Sequence, residues 1–109
     1  MSIERVMRKP PITALLSDTI SHVVQKMVSK EIGAIIILSR GLPAGIIAER
    51  DIVEKVVMAH KDPENTYAQD VMSTPLIFID SDKTVADAIN LMHEKRIRRL
   101  AVTSKGRLV

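Results

Sequence analysis

The sequence predicts an α/β (α+β) fold made of two pseudo-symmetric repeats, each running strand, helix, strand, strand, helix. Three observations carry this. Residues 6–44 and 71–109 align without a gap at an offset of 65, and ten of the 39 pairs are identical. The identities are Val6/Val71, Met7/Met72, Pro10/Pro75, Ile12/Ile77, Thr19/Thr84, Met27/Met92, Lys30/Lys95, Ile32/Ile97, Ser39/Ser104 and Gly41/Gly106. Unrelated stretches share about two or three, so the chain carries an internal duplication. Within each copy the apolar spacing alternates between short β-branched runs and a 3.6-residue stripe. The 109-residue length fits one small domain, or two half-size units sharing a core.

Each copy opens with a Val-Met pair and a proline, followed by a short apolar strand, 12–16 in the first and 76–79 in the second. A polar turn leads to a threonine that starts a helix. Thr84 with Asp87 has the spacing of a capping box, and Thr19 with His22 is a weaker form. The helices are expected to bury Ile20, Val23, Val24, Met27 and Val28, or Val85, Ala88, Ile89 and Met92, which follow the i, i+3, i+4, i+7 stripe. A second strand is expected at 34–38 or 100–103, then a glycine turn at Gly41 or Gly106, then a third strand. In the first copy, "GIIAERDIVEKVV" passes from strand directly into helix. The recurring Met residues sit at matching repeat positions, which assigns them to the core rather than to a ligand site.

These boundaries place repeat 1 at 1–60, a polar linker at 61–69 and repeat 2 at 70–109. The second copy stops at Val109 within its last strand, so the counterpart of "GIIAERDIVEKVV" is expected beyond it. The exposed apolar stripe expected around Val53, Val56 and Val57 points to self-association, with a homodimer as the expected state.

Composition narrows the function classes. No apolar run reaches the roughly 18 residues that span a bilayer, and the N-terminus lacks a signal-peptide core, so a cytoplasmic, non-membrane protein is expected. There is no cysteine, and His22, His60 and His93 form no ligand-spaced cluster, so no metal site is expected. A net charge of +3 favours anionic partners in general. Tyr67 and Phe78 are the only aromatic residues, too few for a base-stacking platform, which makes nucleic-acid binding the weakest reading. The nucleotide-binding glycine motifs, the nucleophile elbow and any nucleophile beside a base are missing, so no enzyme activity is expected.

The pieces "VMRKPPIT" and "VMSTPLIF", "DTISHVVQKMVSKEIGAIII" and "KTVADAINLMHEKRIRRLAV", and "GLPAGIIAERDIV" together resemble a tandem pair of CBS domains, the Bateman module, of the small prokaryotic type. That resemblance implies a regulatory module holding an adenosine ligand such as AMP, ADP, ATP or S-adenosylmethionine, with no cofactor required, and acting on a regulated protein that the sequence does not name. Carried over residue by residue, it implies that Asp51 holds the ribose, that Ile46 with Leu76 and Ile77 lines the adenine slot, and that Arg98 and Arg99 meet phosphate. A carboxylate offers acceptors to vicinal hydroxyls, and arginine offers a permanently charged donor fork. Ala48 stands where the family has Thr or Ser, which removes a hydroxyl donor. A second cleft would be lined by Ile12, Thr13, Gly33 and Ala34, without a basic pair. On the residues alone, Asp51 is also accounted for as a first-turn acid stabilising its own helix. The alternative to a sensor is a non-catalytic interaction module with unused clefts.

Overall fold

A computed structural model describes residues 1–5, 7, 11–74, 76–97, 99–104 and 107–109, with residue 107 described by its backbone. The chain forms two compact units, Ile12–Pro75 and Met1–Pro11 with Leu76–Val109.

In the Ile12–Pro75 unit, β1 (Thr13–Leu15), β2 (Ala34–Ser39) and β3 (Leu42–Ala48) form a sheet in that order. β1 runs parallel to β2, as a strand–helix–strand crossover through α1 (Ile20–Ser29) requires, and β2 and β3 form an antiparallel hairpin. Arg40 and Gly41 turn the hairpin with φ of 53° and 78°. A two-residue hairpin of type I′ needs positive φ at both central residues, which is why glycine fills one of them. Thr19 caps α1 by accepting the His22 N–H at 3.2 Å, the weak cap read from the sequence. The helix lays Ile20, Val23 and Met27 onto Ile35, Ile37 and Ile47, with Ala14 beneath.

α2 (Glu49–Ile52) follows β3 without a loop and widens into a π-helical turn at Val53–Val57. The Met58 N–H reaches back to the Val53 carbonyl (2.8 Å) and the Lys61 N–H to Val56 (2.9 Å), both i→i−5. This wider turn changes the phase of the apolar stripe. Val56 is buried in the core, contrary to the expected exposed stripe, while Val53 and Val57 stay exposed. Two residues expected in the core face outward instead: Val28 is 72% exposed and Ile89 is 56% exposed.

The other unit repeats the plan. β4 (Phe78–Asp80) pairs parallel with β5 (Ala101–Ser104), which pairs antiparallel with β6 (Arg107–Leu108). α4 (Val85–Lys95) begins at a full capping box: Thr84 donates its N–H to Asp87 Oδ2 at 3.1 Å, and Asp87 donates its N–H to Thr84 Oγ1 at 3.0 Å. Glu31 after α1 and Arg96 after α4 sit at equivalent positions with φ of 55° and 57°. Behind them, Ile32 donates to the Met27 carbonyl (3.0 Å) and Ile97 to Met92 (2.9 Å). Both helices therefore end in the same left-handed cap.

The units do not follow the sequence repeats from end to end, because each takes its leading segment from the far side of a repeat boundary. In one unit Ile20 donates to the Thr66 carbonyl (2.8 Å) and Ala68 to Asp18 (2.9 Å). In the other, Val85 donates to Met1 (2.9 Å) and Ile3 to Lys83 (3.0 Å), which are the same bonds shifted by 65 residues. The segment read as a linker is thus tied down and ends in α3 (Ala68–Val71), whose Ala68 and Val71 are buried in the core.

Candidate functional site

The junction of β3 and α2 places Ala48 at the N-cap, with extended φ of −108° and ψ of 167°, and Asp51 three residues on. In a full capping box the N-cap side chain and the third helical side chain each satisfy the other's backbone N–H. Only half survives here. Asp51 Oδ2 accepts the Ala48 N–H at 2.8 Å, whereas Ala48 has no oxygen to return the bond.

The hydroxyl that Ala48 lacks is supplied from elsewhere in the chain. Ser73 exchanges two backbone bonds with Ile46, at 2.8 and 3.1 Å, and so lies against β3 as a short extra strand. Gly45 permits this approach. A Cβ there would stand 2.8 Å from Met72 Sδ and 2.9 Å from the Ser73 carbonyl, closer than a side chain tolerates. Held in this way, Ser73 donates its hydroxyl to Asp51 Oδ1 at 2.8 Å.

Lys55, one helical turn after Asp51, completes the cluster. Its Nζ lies 3.0 Å from Asp51 Oδ1, 2.9 Å from the Val71 carbonyl and 3.4 Å from Ser73 Oγ. The Asp51 side chain is only 13% exposed. Burial pushes its carboxyl up, but the Ala48 N–H, the Ser73 hydroxyl and the Lys55 ammonium together outweigh burial and hold it below the ordinary carboxylate range. The group is therefore an anion at neutral pH, fixed in one orientation.

The predicted site residues divide between the two units. Asp51, Ala48 and Ile46 stand together in Ile12–Pro75, as do Ile12, Thr13, Gly33 and Ala34 of the expected second cleft. The two sets are neighbours there: Ala34 pairs with Ala48 across the hairpin, and Glu49 donates its N–H to the Gly33 carbonyl at 3.1 Å. Ile12 accepts from Ile36 at 3.3 Å, and the Thr13 carbonyl accepts from Lys26 Nζ at 2.6 Å. Leu76, Ile77 and Arg99 belong to the other unit, where Ile77 accepts the Ala101 N–H at 3.0 Å and Arg99 is exposed. Arg98 lies outside the described residues. Sequence reasoning missed Lys55 and Ser73. The Asp-to-Lys spacing of four on a helix was a legible signal for the first. For the second, a glycine inside a strand marked only that some backbone comes close.

A family profile described as the CBS domain matches residues 3–58 and 68–109, nearly the whole chain in two segments. The chain belongs to the CBS domain family. This CBS domain protein is 38% identical over its full length to an uncharacterized protein of Methanopyrus kandleri, of which it spans 57%. A hexameric CBS-CP12 protein from bloom-forming cyanobacteria superposes with a TM-score of 0.89 at 26% identity, covering 99% of this chain and 64% of that one. A CBS domain protein of Pyrobaculum aerophilum, complexed with AMP, superposes with a TM-score of 0.88 at 24% identity, covering 100% of this chain and 84% of that one. CBS domain proteins are commonly regulatory nucleotide sensors and generally not catalysts. No helix among the described residues of this CBS domain protein is long and apolar enough to cross a membrane.

Proposed function

We propose that the chain is a regulatory module that binds one adenosine nucleotide of the AMP, ADP or ATP class, with Asp51 as the acceptor for the ribose hydroxyls. The observation that carries this reading is the Asp51 carboxylate itself, ionised and held at a strand-to-helix junction by three internal donors. A helix cap alone requires one of them. The AMP bound to the Pyrobaculum relative supports the ligand class. Ile46, Leu76 and Ile77 are assigned to the adenine and Arg98 and Arg99 to the phosphate on the family resemblance. Binding would act on a regulated protein by favouring whichever conformation holds the nucleotide more tightly.

Isothermal titration with adenosine, AMP, ADP and ATP tests the reading. One AMP per chain is expected, and Arg99→Ala should weaken AMP by about 10- to 100-fold, the worth of a charge-assisted bond, while leaving adenosine nearly unchanged. If no adenosine compound binds at millimolar concentration, the interaction module takes the sensor's place.

The module is also proposed to self-associate through its helical face as a homodimer. A groove of about 480 Å³ runs between α1 and α2, lined by Val24, Met27, Ile32 and Ile52, with Val28 and Val53 exposed along it. Light scattering at micromolar concentration should give twice the chain mass, and Val28→Asp should halve it, because a carboxylate placed in an apolar contact loses its hydration without gaining a partner.

A further inference from the structure

The Asp51 carboxylate is nearly full. A carboxylate has about four acceptor positions, and a vicinal diol needs two of them. Three are already taken, by the Ala48 N–H on Oδ2 and by the Ser73 hydroxyl and the Lys55 ammonium on Oδ1. One internal donor must therefore leave before a ribose can be held by both of its hydroxyls.

The three donors differ in how readily they can go. The Ala48 N–H is fixed by the backbone at the start of α2. The Ser73 hydroxyl is carried on a residue bonded to Ile46 in both directions. Lys55 is the movable one: its side chain is 40% exposed, it ends a flexible four-carbon stem, and the Val71 carbonyl at 2.9 Å keeps a bond for the ammonium once Asp51 is released. We propose that Lys55 gates the Asp51 site, occupying one of the two acceptor positions of the diol, so that a ribonucleoside binds only by displacing the ammonium from the carboxylate. This rests on the reading of Asp51 as the ribose acceptor. Lys55 is thus a specificity-determining residue that sets how strongly the site favours a ribose over a sugar without the vicinal diol, and it does so by competing with the ligand.

The test uses uncharged nucleosides, so that attraction of Lys55 for a phosphate plays no part. Adenosine and 2′,3′-dideoxyadenosine are titrated into the wild-type chain and into Lys55→Met. The variant is expected to bind adenosine about three- to fivefold more tightly, the worth of a partly exposed ion pair, and to bind the dideoxy compound unchanged. A second measurement needs no variant. Raising salt from about 0.05 to 1 M screens the Asp51–Lys55 pair and should increase the wild-type preference for adenosine over dideoxyadenosine. Equal or weaker adenosine binding by Lys55→Met, a gain shared by both nucleosides, or a preference that does not rise with salt would overturn the gate. If the wild type still prefers adenosine in those cases, the ribose reading stands without the gate. If neither protein distinguishes the two nucleosides, the ribose reading falls and the gate falls with it.

Discussion

Ile47→Ala is expected to lower the unfolding free energy by about 3 to 5 kcal/mol, a large share of the roughly 5 to 15 kcal/mol that holds a domain folded. Ile47 is fully buried on β3, against the face that receives Ile20, Val23 and Met27. The loss combines the transfer free energy of the missing carbons with a cavity that neighbours on a hydrogen-bonded sheet cannot collapse to fill. Leu42 provides the control. It lies on the same strand but is 70% exposed, so Leu42→Ala should change stability by no more than about 0.5 kcal/mol. The chain has no tryptophan, so urea unfolding is best followed by far-ultraviolet circular dichroism. A cost for Leu42→Ala as large as that for Ile47→Ala would contradict the burial of Ile47 and the exposure of Leu42.

The second large effect is expected at Asp51. Asp51→Ala should weaken adenosine and AMP alike, by about 10- to 100-fold, because the lost contact is to the ribose, which both share. It should also lower stability by about 1 kcal/mol, because the Ala48 N–H loses its acceptor. Asp51→Asn separates these two losses. Its side-chain oxygen still accepts from Ala48, but its NH2 then faces the Ser73 hydroxyl and the Lys55 ammonium, so its melting temperature should fall less than that of Asp51→Ala, while affinity falls with the charge. If both variants bind AMP as the wild type does, Asp51 serves only its helix.

Much of the fold was legible because the duplication made each local signal appear twice. Thr19 and Thr84 both cap helices, the β-branched runs became β2 and β5, and Gly41 turned the first hairpin. Three features were not legible, and each has a physical reason. The π turn at Val53–Val57 depends on which carbonyl the Met58 and Lys61 N–H groups find, which side-chain periodicity does not encode. The leading segments 1–5 and 66–70 play the same part but share no residue, because their role is carried by backbone bonds. The cluster around Asp51 was half visible. The acid and its spacing to Lys55 could be read from the chain, but Ser73 meets Asp51 only because residues far apart in sequence pair as strands.

The exchange of leading segments also bears on how the chain is made. Everything in the Ile12–Pro75 unit comes from one continuous stretch, so it can assemble as soon as that stretch leaves the ribosome. The other unit needs Met1 and Ile3 to meet Val85 and Lys83, which follow them by 84 and 80 residues. Until then the N-terminal segment has no docking place of its own, and closing so long a loop is slow. Synthesis therefore imposes an order: the Ile12–Pro75 stretch matures first, and the segment with Met1 and Ile3 must wait for the stretch with Lys83 and Val85. During that interval the segment with Ile3, buried once the unit forms, is open to proteases and to capture by a second chain.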